Sequence, residues 1–257
     1  MLERITPVIL TYNEAPNIAR TLEALRWARE VVIVDSFSTD ETAAIAGAFP
    51  NVRLVRRRFD AHSAQWNFAV HETGISSPWV LALDADYVLT PELVDELRTL
   101  EPPDEVHGYR TAFTYCVFGS PLRASAYPPV VTLYRLGRAH YEQDGHTQRL
   151  RIEGAVRDLA GQIRHDDRKP FAVWMRSQLR YSRLEAAKLL ATPRRQLSFP
   201  DRVRLLVIVA PLVALPYCLF VKGNILNGTA GLCYAMQRTL AEGILSIRLL
   251  AAMMRLG

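Results

Sequence analysis

Val31-Val32-Ile33-Val34-Asp35 is a run of four β-branched aliphatic residues that stops on an acid. No polar residue alternates through it, so the strand it predicts is buried on both faces, as in a parallel sheet covered by helices. Comparable runs lie on either side. Ile5 to Leu10 precedes Thr11-Tyr12-Asn13-Glu14, Val52-Arg53-Leu54-Val55 follows, and Trp79-Val80-Leu81-Ala82-Leu83 precedes Asp84-Ala85-Asp86. Between them, Ile18, Leu22 and Leu25 keep helical spacing, and Thr39-Asp40-Glu41-Thr42 supplies capping residues for another helix. The order predicts an α/β domain, Rossmann-like and doubly wound, with a mostly parallel sheet. Such sheets bind ligands at the carboxyl ends of their strands. Glu14, Asp35, Asp84 and Asp86 stand at those ends.

The 257 residues are 49% hydrophobic with a mean hydropathy of +0.02, which excludes a disordered chain. Three cysteines, none in a C-x-x-C pair, exclude a disulfide scaffold and favour a reducing compartment. Met1–Arg4 and the short apolar run after it do not read as a signal peptide. The net charge of +5 conceals a split: residues 1–130 hold 11 Lys+Arg against 17 Asp+Glu, and residues 131–257 hold 20 against 9. An acidic front points to a ligand site, and a basic rear to a polyanionic partner.

From about Lys169 the character changes, which divides the chain into 1–168 and 169–257. Phe171 to Ala191 reads as a basic amphipathic helix. Leu205 to Val221 is an uncharged 17-residue stretch broken by Pro211 and Pro216, Lys222-Gly223-Asn224 marks a turn, and a last helix runs to about Leu250. Seventeen residues with two prolines are short for a span. Helices lying in the membrane interface, or a shallow re-entrant hairpin, fit better, and the basic flanks favour an anionic membrane surface over nucleic acid. A buried helix pair in a soluble core is the competing reading.

Two carboxylates as close as those of Asp84-Ala85-Asp86 repel unless a cation sits beside them. A divalent ion held by one or two acids plus substrate phosphates answers that requirement. Asp35, a buried acid at a strand end, is suited to accept hydrogen bonds from a base or ribose, while Asp40 is placed for an Asx turn. No G-x-G-x-x-G or Walker-type loop occurs in this region, which argues against a dinucleotide fold or a P-loop.

Val8 to Glu14, then Val31 to Ser36 with Ser38-Thr39-Asp40-Glu41-Thr42, then Gln65-Trp66-Asn67-Phe68-Ala69, then Leu83 to Asp86 together resemble glycosyltransferase family 2. The resemblance implies a GT-A fold and an inverting transferase that uses a nucleotide-activated sugar, a UDP-sugar in the first instance. It places Thr11, Tyr12, Glu14, Asp35, Ser38, Gln65 and Asn67 around the nucleotide-sugar, Asp84 at the ribose or sugar, and Asp86 on a divalent cation, Mn2+ or Mg2+. Leu133-Tyr134-Arg135 and the basic, apolar tail are similar to the bacterial lipopolysaccharide-core glucosyltransferase type. That implies a glycolipid or lipid-linked acceptor at the cytoplasmic face of the bacterial inner membrane. The type carries a His-Glu pair after its Tyr-Glu segment. Here His146 is followed by Thr147, so the base must be sought elsewhere.

If the acceptor is a sugar hydroxyl, a carboxylate must take its proton. Asp144, before Gly145 and its expected tight turn, is the first choice and Glu142 the second. By resemblance to other GT-A enzymes, His165 is a further metal ligand, and Arg168 is placed to reach the diphosphate or a lipid phosphate. A polyprenyl-phosphate acceptor would need no base and stands as the alternative. A non-catalytic basic binding protein is the remote one, disfavoured because every strand-end acid is present.

Overall fold

A computed structural model describes residues 1–125, 127–144 and 147–256. They form two compact units, Met1–Cys116 with Tyr127–Arg168, and Val117–Ala126 with Lys169–Gly257.

The first unit opens with β1 (Ile5–Thr11), α1 (Ile18–Glu23), β2 (Val31–Asp35), α2 (Thr42–Gly47), β3 (Val52–Arg56), α3 (His62–His71) and β4 (Trp79–Asp84). All four strands are parallel, in the order β3-β2-β1-β4. The apolar runs of β1, β2 and β4 lack alternation because both faces are covered, whereas the edge strand β3 is only partly buried. Ile5, Ile9, Val31, Ile33, Leu81 and Leu83 pack with Ile18 and Leu22 of α1 and with Leu25 just after it. Val8, Val32, Val34, Val80 and Ala82 face the other way, onto Trp66, Ala69 and Val70 of α3.

Beyond β4 the sheet, mostly parallel as expected, takes up antiparallel strands as well. The chain continues through β5 (Tyr87–Leu89), α4 (Pro91–Thr99) and β6 (Val106–Val117). After the short β7 (Ser120–Pro121) of the second unit come β8 (Val130–Arg135), β9 (Ala139–Asp144), β10 (Thr147–Ile152) and β11 (Ala155–His165). The order extends as β4-β8-β6-β11-β5, with β8 antiparallel to both β4 and β6, β11 parallel to β6, and β5 antiparallel to β11. The result is a mixed α/β fold whose parallel half includes the strands with the unalternated runs. α4 has its own local reason to begin: the Thr90 side chain caps Leu93 N–H, and Pro91 opens the first turn.

β9 and β10 form a separate antiparallel hairpin. Asn67 on α3 holds it in place, its amide Nδ2 donating to Tyr141 O and its Oδ1 accepting from Tyr141 N–H, both at 2.9 Å. Tyr141 also stacks on Trp66 at 5.3 Å and shares a 2.9 Å hydroxyl contact with Tyr134. The expected Gly145 turn, and His146, lie outside the described residues.

In the second unit, α5 (Phe171–Ala191) occupies the stretch expected for it. The uncharged stretch is not one helix. α6 (Phe199–Arg204) ends before it, Val207 takes a positive φ of 59°, and α7 (Val209–Pro216) gives way at its second proline to a π turn over Tyr217–Val221. Gly223, left-handed at φ 68°, turns the chain, and α8 (Gly228–Leu256) runs past the expected end. The core of this unit joins Ala186 and Leu189 to Leu197, Leu245 and Leu249. Two of its arginines are engaged within the unit: Arg204 pairs with Glu242 at 2.9 Å and Asp201 at 3.1 Å, and Arg248 donates to Ser182 Oγ. Large apolar side chains point outward, among them Leu206, Ile208, Leu212, Phe220, Ile247 and Met254. No single helix among the described residues is long and apolar enough to cross a membrane. Val209–Val221 and Asn224–Met254, bent by 72°, pass that test only as a pair.

Replacing Asn67 by Ala removes both bonds to the buried Tyr141 backbone, and should lower unfolding stability by about 1–3 kcal/mol. Urea denaturation of wild type and variant measures this directly.

Candidate functional site

The register brings three parallel strand ends into line. Thr11 of β1 is opposite Asp35 of β2, and Leu10 of β1 is opposite Asp84 of β4. Loops must leave the sheet here, and Asp35 organises them. Its side chain is fully buried (0% exposed), Oδ1 accepting from the Thr11 hydroxyl at 3.0 Å and from the Ser38 hydroxyl, Oδ2 from Ser38 N–H at 2.9 Å. Ser38 Oγ in turn accepts Asn13 N–H at 2.9 Å, and Asn13 Oδ1 accepts Thr39 N–H at 2.8 Å. Thr42 Oγ1 accepts Glu14 N–H at 2.7 Å.

The two loops are thus stitched into one surface. Asn13 (φ 55°) and Phe37 (φ 61°) are held in the left-handed region, strain that such stitching sustains. Asp40 makes the expected Asx turn, accepting Thr42 N–H at 3.0 Å, and also takes Ala15 N–H. Burial pushes its carboxyl up, but the Thr42 and Ala15 hydrogen bonds outweigh it and hold the pKa below the ordinary value. Tyr12 and Phe37 leave their rings exposed on this surface. Phe37 carried no sequence signal.

The second cluster surrounds Asp84-Ala85-Asp86. Asp84 is exposed, while Asp86 is buried, its Oδ2 lying 3.1 Å from His165 Nε2. Thr21 on α1 donates to Ala85 O at 2.7 Å, and Asp166 N–H donates to Asp86 O at 3.1 Å, so the tripeptide backbone is fixed from two sides. Burial disfavours the His165 imidazolium, yet Asp86, Asp84 and Asp167 together hold its pKa above the ordinary value. Burial and then the charges of Asp84 and Asp86 push the Tyr87 phenol well above its own.

Among the described residues no three His, Cys, Asp or Glu converge into a ready-made metal cage. Asp86 and His165 are instead a two-ligand set, with the exposed carboxylate of Asp84 two residues before Asp86. That composition fits Mn2+ or Mg2+, which take one or two carboxylates and complete their shell with substrate phosphates and water.

A network that sequence reasoning missed joins the two clusters. Asn17, fully buried, donates through Nδ2 to Glu14 Oε2 and to Asp167 Oδ1, both at 2.9 Å. Its Oδ1 accepts from Arg20 at 2.8 Å and from Arg168 N–H at 2.9 Å. Arg20 grips Asp166 at 2.6 Å, and Arg168 pairs with the same carboxylate at 2.8 Å. These residues lie about 150 positions apart, so no local pattern could have shown the pairing.

Several expected donor contacts are engaged differently. Gln65 is fully buried, its Nε2 donating to Ser36 Oγ at 3.1 Å and its Oε1 accepting from Arg57, so it supports the loop after β2 from beneath. Asn67 is directed to the Tyr141 backbone and not to the strand ends. The Arg168 guanidinium is taken up by Asp166 and does not stand free for a phosphate.

The base candidates sit on one face of the β9–β10 hairpin, each matched with an arginine diagonally across it. Asp144 pairs with Arg149 at 2.8 Å, and Glu142 with Arg151 at 2.8 Å. The Arg151 hydrogen bond holds the Glu142 carboxyl below the ordinary range, which makes Glu142 the weaker base. Asp144 is the more enclosed of the two.

The buried Asp166 carboxylate depends on two guanidinium groups. Arg20→Ala should destabilise the fold by about 2–3 kcal/mol, whereas Arg20→Lys should recover part of the loss. Thermal unfolding of both variants checks the difference.

Residues 6–109 match the family model described as glycosyl transferase family 2. An uncharacterized glycosyltransferase of Rickettsia felis is 37% identical over 98 residues, covering 38% of this chain and 34% of that protein. The lipopolysaccharide core biosynthesis glycosyltransferase LpsC of Rhizobium meliloti is 33% identical over 115 residues, covering 42% and 41%. The chain therefore spans about a third to two fifths of the length of these curated relatives. Among solved structures, Staphylococcus aureus TarS in complex with UDP-GlcNAc aligns with a TM-score of 0.48 at 14% identity, over 95% of this chain and 89% of that one. Mycobacterium tuberculosis glucosyl-3-phosphoglycerate synthase, in complex with Mn2+, UDP and phosphoglyceric acid, aligns with a TM-score of 0.35 at 20% identity, over 42% and 43%. Residues 6–109, which contain the strand-end acids and both stitched loops, are thus the part of the chain that is similar to glycosyl transferase family 2.

Proposed function

We propose that this protein is an inverting, metal-dependent hexosyltransferase. It moves a hexose from a UDP-sugar to a hydroxyl of a lipid-linked or lipopolysaccharide-type acceptor. The observation that carries this reading is the line of Thr11, Asp35 and Asp84 at adjacent strand ends, with the Asp86–His165 pair beside it. The Rhizobium LpsC relative supports the acceptor class.

A divalent cation, held by Asp86 and His165, would offset the charge that gathers on the departing diphosphate. The chain's own residues do the rest. Thr11, Asp35 and Ser38 shape the floor on which base and ribose rest, with Tyr12 as an exposed wall. Asp84 faces the ribose or sugar. Asp144 accepts the acceptor's hydroxyl proton as the acceptor oxygen bonds to C1. The bond from C1 to the diphosphate oxygen breaks on the opposite side, which inverts the anomeric centre.

A phosphate acceptor is the second reading, favoured by one observation: both hairpin carboxylates are already engaged by arginines, Asp144 by Arg149 and Glu142 by Arg151. UDP release in the presence of a bacterial lipid extract separates the two. For a hydroxyl acceptor, Asp144→Asn should lower kcat by about 100-fold or more, and Asp86→Ala should abolish metal-stimulated turnover. Turnover that survives Asp144→Asn nearly intact points to the phosphate acceptor, and turnover indifferent to Asp86 overturns the metal-dependent reading.

The reading places the protein on the cytoplasmic face of the bacterial inner membrane, with the second unit as its attachment. Its support is the outward apolar side chains of α7 and α8, together with exposed arginines of the same unit such as Arg176, Arg180 and Arg183 on α5. Burial of such side chains in the headgroup region and attraction of Lys and Arg to anionic lipid act together. The protein should float with phosphatidylglycerol vesicles and less with phosphatidylcholine vesicles, and the double substitution Leu212→Asp with Phe220→Asp should release it. Equal absence from both vesicle fractions would contradict the attachment.

A further inference from the structure

Around His165 the first unit assembles four more aromatic rings. Tyr115 lies 4.8 Å from the imidazole, Tyr87 5.1 Å, Tyr127 5.8 Å and Phe113 6.4 Å, centroid to centroid. The strands dictate three of these, because His165 on β11 is directly opposite Tyr87 on β5 and Tyr115 on β6, with Phe113 two residues back on the same strand. Tyr87, Phe113 and Tyr115 are partly buried and act as a wall.

Tyr127 is different. It lies before β8, leaves 46% of its surface exposed, and stacks on Tyr115 at 5.4 Å with the ring planes within 5° of parallel. The pair makes a flat, partly open aromatic platform, next to an imidazole that touches the Asp86 carboxylate.

We infer that the Tyr115–Tyr127 platform is the acceptor subsite and that it takes a pyranose ring. This deepens the proposed function and rests on it. The chemistry is that of a sugar: one face of a pyranose is a patch of C–H groups that packs on an aromatic ring, while hydroxyls at its rim reach neighbouring carboxylates. Placement excludes the donor's base as the occupant. Base and ribose belong to the Thr11–Asp35 end of the sheet, on β1 and β2, whereas the platform backs onto β6 and β11, on the other side of β4 and Asp84 in the strand order. A ring on this platform meets the donor sugar from the side opposite the nucleotide. A bare alkyl phosphate presents no such face, so the platform favours a glycosylated acceptor over a polyprenyl phosphate.

Saturation-transfer NMR on the full chain with UDP and Mg2+ tests this, with methyl glycosides of glucose, galactose and mannose as probes and hexyl phosphate as the contrast. At least one glycoside should receive saturation at its ring C–H protons from wild type. That signal should fall about fivefold to tenfold in Tyr127→Ala and persist in Tyr127→Phe, while the UDP signals stay unchanged in both variants. If UDP binds but no glycoside is saturated, if the glycoside signal survives Tyr127→Ala, or if hexyl phosphate alone depends on Tyr127, the subsite assignment fails. If UDP itself receives no saturation, the donor reading beneath it fails and takes the assignment with it.

Discussion

A single buried carboxylate sets the geometry of this protein. Asp35 ends a strand covered on both faces, so its oxygens lie away from water and must be satisfied by hydrogen bonds from its own chain. Those donors are Thr11 from the neighbouring strand and the hydroxyl and backbone N–H of Ser38. Satisfying Asp35 therefore fixes the loop after β2 against the end of β1, and Asn13, Thr39, Glu14 and Thr42 follow from that closure. The same requirement that stabilises the carboxylate prepares a surface for a ligand. Asp35 thus acts from below, by holding the loops, and the exposed Tyr12 and Phe37 supply the outer contacts.

The Asp84-Ala85-Asp86 turn depends on residues far away in sequence. Its backbone is held by Thr21 on one side and by Asp166 on the other, and Asp166 is itself held by Arg20 and Arg168. Asn17 closes the circuit by joining Glu14 to Asp167. A change at the end of β11 is thereby felt at the loop after β1, because both share the same hydrogen-bonding side chains. Buried networks of this kind are sensitive at every member, since an unmatched charge in the interior costs more than the pair contributes.

How much of this was legible follows from range. Val31 to Val34 announces a doubly covered strand because period and composition are local, and Asp35, Asp84 and Asp86 announce strand ends for the same reason. Asn17, Arg20 and Asp166 do not, because their meaning exists only after the chain has folded 150 residues back on itself. Gln65 and Asn67 show the converse. The motif drew attention to them, yet a side-chain amide holds a backbone as readily as it holds a ligand, and nothing in the spacing separates the two uses. The sheet was legible strand by strand only as far as β4, because β6, β8 and β11 mix polar with apolar residues and their direction is set by their partners. The aromatic platform was invisible for a similar reason: Tyr115, Tyr127 and His165 are scattered in sequence and gathered by strand register.

The proposed account stands on a nucleotide-sugar resting on the surface that Asp35 organises. Calorimetric titration of the full chain with UDP-glucose, UDP-galactose, UDP-N-acetylglucosamine and GDP-mannose, with and without Mn2+, tests this most directly. The account predicts saturable binding of at least one UDP-sugar that weakens when Mn2+ is withheld. Absence of binding by every donor in both metal conditions would contradict it.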